Sequence, residues 1–338
     1  MSEIPETMKA VGFDRNLPIE DADSLLDFEQ PVPVPGPRDL LVEVRAVSVN
    51  PVDVKVRANR PQEGRRVLGF DASGVVVAVG EDAELFEVGD EVYYAGSIDR
   101  PGSNSEYQLV DERIVGQKPK SLDFPQAAAM PLTSITAWES LFDRFRLDPD
   151  SEGVLLILGA AGGVGSVMIQ LAKELTDVTV IGTASREESR NWVKELGADH
   201  VLDHSGDLVA QVKELVPDGV NYIFSPYTKG QIESFVEMSA PFGQITAIDD
   251  PGDLDVMALK SKSLTFHWEL MFTRPMFGTP DMIQQHNLLN EVGFMIDDGE
   301  IRTTVNKVLT PIDAATLKEA HALVESGKAV GKVVLSRP

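Results

Sequence analysis

The feature that most constrains this 338-residue chain is the run Gly159-Ala160-Ala161-Gly162-Gly163-Val164-Gly165, set between a short apolar segment and a helix-like one. A strand that stops on such a turn and restarts as a helix brings bare backbone to one point. At Gly162 the main chain can approach a bound anion closely, and at Gly165 the helix can pack tightly on the strand. The free N–H groups and positive dipole end of the helix then favour a pyrophosphate. Ala160 stands where the usual G-x-G-x-x-G pattern has its first glycine.

The flanking pattern supports the same reading. From Val154 the chain alternates strand-like and helix-like stretches. Strands are expected over 154–158, 178–183, 201–202, 220–224, 243–248 and 263–268, with helices over 163–175, 187–196, 208–216 and 231–239. Such alternation predicts a parallel sheet covered by helices on both faces. The charge-free stretch Val154 to Ala172 is long enough to span a bilayer, but its glycines and short apolar start predict a buried strand–turn–helix. The first third reads as β structure, with strand-like runs at 40–47, 74–80 and 88–93 and an extended connector carrying Pro31, Pro33, Pro35 and Pro37. The segment from Pro125 to Phe142 is helix-rich. The tail reads helix, strand, helix, strand over 280–297, 304–309, 311–325 and 332–335.

The end of the second strand discriminates between coenzymes. In an NAD site a carboxylate about 20 residues after the glycine turn takes the ribose 2′-hydroxyl. Here the strand ends in Ala184-Ser185-Arg186, with no carboxylate before Glu187. Arg186 can pair with a 2′-phosphate as a charge-assisted fork and Ser185 can donate a hydrogen bond, which predicts NADPH over NADH. A structural role is also open to Ser185, as the cap of the next helix with Glu188 completing a capping box.

Composition narrows the classes further. The chain has no cysteine, which excludes disulfides and thiolate metal sites. Its formal net charge of −24 disfavours nucleic-acid and anionic-membrane partners, and requires local positive potential wherever an anionic coenzyme binds. The acidic N-terminus lacks the order of a signal peptide, so a cytoplasmic protein is expected. The five histidines, His200, His204, His267, His286 and His321, show no metal-binding i, i+4 spacing on a helix and read as structural or exposed.

Several further runs together resemble the medium-chain dehydrogenase/reductase superfamily, in its zinc-free quinone oxidoreductase branch and among bacterial proteins called zinc-type alcohol dehydrogenase-like. They are Asn50-Pro51-Val52-Asp53, Gly69-Phe70-Asp71-Ala72-Ser73-Gly74, Ala127-Ala128-Ala129-Met130-Pro131-Leu132-Thr133, the glycine turn, and His267-Trp268-Glu269-Leu270-Met271-Phe272. The resemblance implies an α/β protein with a GroES-like β-barrel catalytic domain over 1–127, completed by 275–338. It implies a Rossmann doubly wound parallel-sheet NADPH-binding domain over 128–274, a cleft between the domains, and a homodimer or homotetramer built through the cofactor-domain sheet. It places Asn50 at the nicotinamide ribose, Thr133 at the nicotinamide end, Phe224, Ser225 and the Ile248-Asp249 strand end along the coenzyme, and Lys332 as a basic residue near it. The sequence departs from zinc-dependent relatives where a cysteine stands near Asn50 and a histidine at Phe70.

Without a metal to polarise a carbonyl, the substrate must already be electrophilic. The expectation is hydride transfer from NADPH to a quinone or an α,β-unsaturated carbonyl. Asn50, Tyr93, a coenzyme ribose hydroxyl or water are candidate donors to the developing oxyanion, and Phe70, Tyr93, Trp268 and Phe272 candidate pocket residues. An alcohol or aldehyde dehydrogenase of the same fold, or a non-enzymatic NADPH-binding sensor or structural protein, are the alternatives.

Overall fold

The computed structural model describes residues 4–60 and 63–337. The chain divides into two compact units, Met1–Ile135 with Phe272–Pro338, and Thr136–Met271. The sequence reading set these divisions at 127/128 and 274/275.

The first unit holds β1 (Thr7–Phe13), β2 (Leu26–Pro31), β3 (Asp39–Val49), α1 (Pro51–Asn59), β4 (Arg66–Val67), β5 (Ala72–Val79), β6 (Glu91–Tyr94), β7 (Tyr107–Asp111), β8 (Val115–Gln117), α2 (Phe124–Ala128) and the start of α3 (Pro131–Trp138). Its larger sheet runs β15-β16-β3-β5-β6-β8 with β7 also on β3, where β15 (Val305–Leu309) and β16 (Lys332–Ser336) come from the tail. A three-stranded sheet, β2-β1-β4, carries an isolated antiparallel bridge from Ala10 to Ser105, two residues before β7. Strand β3 is the hub. It pairs antiparallel with β5, β7 and β16, so it is apolar on both faces, with Leu40, Leu41, Val42, Val44, Ala46, Val47 and Val49 all buried. Gly74 is required in β5 because a Cβ there would lie 2.2 Å from the Glu43 carbonyl oxygen.

The second unit is a six-stranded, all-parallel sheet in the order β11-β10-β9-β12-β13-β14. Its strands are β9 (Val154–Ile157), β10 (Thr179–Thr183), β11 (His200–Leu202), β12 (Val220–Ser225), β13 (Ser239–Ala247) and β14 (Thr265–Trp268). Helices α4 (Gly163–Leu175), α5 (Glu187–Glu195), α6 (Leu208–Leu215) and α7 (Ile232–Met238) provide crossovers. Each strand expected here forms, the inner ones as short continuous apolar runs because a parallel strand covered on both faces is buried throughout. The order reverses between β9 and β12, which makes the loop after β9 a topological switch point. A π-helical segment, Glu139–Arg144, continues α3. The tail adds α8 (Thr273–Phe277), α9 (Gln284–Asp297) and α10 (Ala314–Glu325) to the first unit. Val154 to Ala172 is indeed strand, turn and helix, and no helix among the described residues is long and apolar enough to cross a membrane.

Candidate coenzyme and active site

In the parallel-sheet unit, β9 ends at Ile157, and Leu158 leads into the glycine turn. Gly159 has φ +63°, a conformation that favours glycine. Its amide donates to Thr183 Oγ1 at 3.1 Å, which ties the loop to the end of β10. Gly162 is the N-cap of α4, and its amide donates back to Gly159 O at 2.9 Å. A Cβ on Gly165 would lie 2.6 Å from Ala160 Cα, so helix and loop touch through bare backbone. A Cβ on Gly162 would meet only Gly159 O, at 3.2 Å. The first amides of α4, at Gly163, Val164 and Gly165, have no intrahelical acceptor by construction. These features fit a pyrophosphate.

At the end of β10, Ser185 is half-buried and Arg186 exposed. Arg186, not Ser185, is the N-cap of α5, and no side chain caps that helix, so the expected Ser185–Glu188 capping box does not form. Arg186 instead lies 3.9 Å from Glu188. On the other side of the switch point Phe224 and Ser225 are buried at the end of β12. Ser225 Oγ accepts from Tyr227 N at 3.1 Å and Ser225 O from Ile248 N at 3.1 Å. Asp249 accepts from Thr228 N at 2.7 Å, which braces the two strand ends.

The first unit contains a buried polar cluster that the sequence announced only in part. Asp71, fully buried after the turn at Gly69, accepts from Ser48 Oγ and Asn50 Nδ2, each at 2.7 Å, on one carboxylate oxygen, and from Leu132 N at 2.7 Å on the other. Lys332, on β16, donates to Val49 O at 3.2 Å, Asn50 Oδ1 at 2.5 Å and Asp71 Oδ2 at 3.1 Å. These contacts occupy all three N–H groups of the ammonium. Asp53, three residues into α1, accepts from Asn50 N at 2.8 Å and Gly69 N at 3.0 Å. Burial pushes its carboxyl up to about 7, against the opposing pull of the Asn50 amide and the Lys332 charge. Ser48 and Asp53 were not singled out as site residues by sequence, because their roles arise only when β3, β5, α1 and β16 meet.

The remaining candidates divide. Thr133 is buried and donates to Met130 O at 3.0 Å, which leaves its oxygen lone pairs as acceptors. Phe70 and Phe272 are both buried and pack edge to face at 5.3 Å. Trp268 packs edge to face against Phe266, with ring centroids 5.0 Å apart, and is 53% exposed on the outer strand β14. Tyr93 requires a correction. It is fully buried, its hydroxyl donates to Leu289 O on α9, and burial raises its pKa. Packed in this way it serves the core of the first unit and is not a donor to substrate.

The family's zinc does not fit these residues. Phe70 offers no ligand atom, and the Asp71 carboxylate is filled by two side-chain donors, an amide and an ammonium. No group of three or more ligand-type side chains gathers among the described residues.

Comparison with known proteins agrees with this division of labour. Residues 36–120 match the alcohol dehydrogenase GroES-like domain, and residues 196–335 the zinc-binding dehydrogenase family. A zinc-type alcohol dehydrogenase-like protein of Staphylococcus aureus (strain MSSA476) is 43% identical over 335 residues, spanning 97% of this chain and all of that one. The human mitochondrial NAD(P)H oxidoreductase RTN4IP1 is 32% identical over 89% of this chain and 82% of its own. A 2-methylene-furan-3-one reductase of Solanum lycopersicum is 29% identical over 98% and 80%. Among solved structures, one from Rhizobium etli CFN 42, described as a zinc-dependent alcohol dehydrogenase protein, has 55% identity and a TM-score of 0.94 over 98% of both chains. The quinone oxidoreductase from Coxiella burnetii has 26% identity and a TM-score of 0.81 over 98% and 99%. With a GroES-like unit, a doubly wound coenzyme-type unit and relatives matching over nearly the whole length, the chain belongs to the medium-chain dehydrogenase/reductase superfamily of oxidoreductases.

Proposed function

We propose that the protein is an NADPH-dependent reductase that transfers hydride to quinones or α,β-unsaturated carbonyls without a metal ion. The observation that carries this reading is the saturated Asp71–Asn50–Lys332 cluster, beside the Asn50 and Phe70 positions where the resemblance puts a cysteine and a histidine in zinc-dependent relatives. With its lone pairs committed to these donors, the cluster has none left to hold a metal Lewis acid for an unactivated carbonyl. Quinones and enones need none, because addition of hydride gives a delocalised anion. The enone reductase and quinone oxidoreductase among the relatives support the same substrate class.

A reduced nicotinamide supplies the hydride when bound. The chain's part is to bind and orient. Gly162 and the first turn of α4 would hold the pyrophosphate, Ser185 and Arg186 the 2′-phosphate, and Phe224, Ser225 and Ile248 the coenzyme path along the strand ends. Thr133 Oγ1 can accept a hydrogen bond at the nicotinamide end, and the fixed Asn50 would mark the ribose. A homodimer, or a homotetramer built on it, is proposed through the outer strand β14.

The test is coenzyme oxidation against a panel of quinones, 2-alkenals and cyclic enones, with NADH and chelator controls. Turnover with NADPH that survives chelation is expected. Stoichiometric zinc that tracks activity, or NADPH binding with no acceptor reduced, would sink the reading.

A further inference from the structure

The sequence pointed to Arg186 as the guanidinium for a 2′-phosphate, yet a second arginine stands at the same strand end in a more ordered setting. Arg190 lies one turn into α5 and is half-buried. Its Nη1 donates to Ala184 O at 3.3 Å, directly after β10, and its Nη2 to Val201 O at 3.4 Å, in β11. The guanidinium is therefore clamped between the carboxyl ends of the two strands beside which a Rossmann fold places the adenine ribose. A guanidinium carries five N–H groups, and the three not used in these contacts have no protein acceptor among the described residues. Arg186, by contrast, is half-exposed and lies beside Glu188.

Charge makes the same distinction. Asp203 follows β11, and its carboxyl is held below the usual range, first by the Ser205 hydrogen bonds and then by the nearby charges of His204 and Arg190. Arg190 is the smallest of these influences on an exposed acid, and its charge partly offsets that acid at this strand end. In a chain of net charge −24, a pre-oriented cation has particular value to an anionic ligand.

We propose that Arg190, held by the Ala184 and Val201 carbonyls, is the residue that sets preference for a 2′-phosphorylated adenosine, with Arg186 a secondary contact. This rests on the NADPH reading above and assigns its specificity to a particular side chain. Because the clamp fixes the fork before ligand arrives, a bidentate pair forms with little loss of side-chain freedom.

The experiment is calorimetric titration of the intact protein with adenosine 2′,5′-bisphosphate and with 5′-AMP, then with NADPH and NADH. Arg190→Gln should weaken the bisphosphate by roughly 10- to 100-fold, the loss of charge-assisted hydrogen bonds, while 5′-AMP changes by less than about two-fold. Arg190→Lys, which keeps the charge but not the fork, should fall between. Arg186→Gln should cost the bisphosphate less than about five-fold. The 5′-AMP titration is the internal control for folding, since a distorted strand end weakens both ligands together. Equal loss of both ligands in Arg190→Gln, or a larger selective loss in Arg186→Gln, overturns the proposal and leaves the NADPH reading standing. A wild-type protein that binds the two adenosines equally overturns both.

Discussion

A buried ammonium is costly unless every donor is met, and in this chain every donor of Lys332 is. Replacing Lys332 with Met removes the one cation facing Asp71 and Asn50 among the described residues. The expected cost is about 3–5 kcal/mol, the range for breaking a buried pair. Urea denaturation should report it, and a loss under about 1 kcal/mol would mean that the cluster is not the anchor described. His321 offers a second test, because both ring nitrogens are buried without partners. Burial, with the Arg57 charge adding, pushes its pKa down to about 3. The folded form thus binds fewer protons than the unfolded chain between about pH 3 and 6.5, so stability falls as pH drops through that window. From pH 7.5 to pH 5 this one group should cost about 2 kcal/mol. The raised carboxyls of Asp53 and Glu269 act in the opposite sense, since they take up protons on folding. His321→Leu should flatten the acid limb, and a pH profile parallel to wild type would refute the assignment. Neither role was legible from sequence. Lys332 and Asn50 stood out by resemblance, but a lone His in an apolar helix says nothing of whether its nitrogens find partners. Tyr93 misled because Val92, Tyr93, Tyr94 and Ala95 are all buried, so no alternation reveals which side chain faces a site.

Among elements, the strand–turn–helix at 154–175 was the most readable, because glycine is demanded there by space as well as by conformation. Gly162 and Gly165 should separate in experiment. Gly165→Ala forces a Cβ against the Ala160 backbone, which cannot yield as a flexible side chain would. A loss of about 1–3 kcal/mol is expected, typical of overpacking, and visible in thermal melts. Gly162→Ala meets only one carbonyl oxygen at 3.2 Å, so folding should be nearly intact while the pyrophosphate loses its close approach. Coenzyme titration should then show weaker binding at near-wild-type melting temperature. If both variants lose stability alike, the turn is a packing device alone. The apolar runs of β9, β10 and β12 stood out because parallel strands are buried on both faces. The small strands β1, β2 and β4 did not: β2 alternates only between half-buried and exposed residues, and β4 has two residues. The α5 cap shows a further limit. Ser185 and Glu188 have the spacing of a capping box, yet the helix starts one residue later, at Glu187 after Arg186. Arg190 was invisible for a related reason, since its acceptors lie on β11 and at the end of β10, and only the paired strands bring them together.

For the whole molecule, the decisive quantities are the net charge and the outer strand of the parallel sheet. Strand β14 pairs only with β13, so its far row of N–H and C=O groups has no strand partner among the described residues. Such an edge in a soluble protein is ordinarily blunted or covered. Here it carries Trp268, 53% exposed and edge to face with Phe266, with Leu270 49% exposed just beyond. Two copies related by a two-fold axis would pair β14 with itself and bury the same aromatic patch twice, as an isologous contact requires. Light scattering behind size exclusion should therefore give a mass of at least twice the monomer's 36.8 kDa. Trp268→Lys should shift the population toward monomer without changing the melting of either unit. Each copy brings a net charge of −24, so association opposes long-range repulsion and should tighten as salt rises from about 20 to 200 mM, as the Debye length shrinks. A contact held by ion pairs would loosen over the same range. A wild-type protein that stays monomeric at tens of micromolar in high salt would show that this edge is protected by some means other than a second copy.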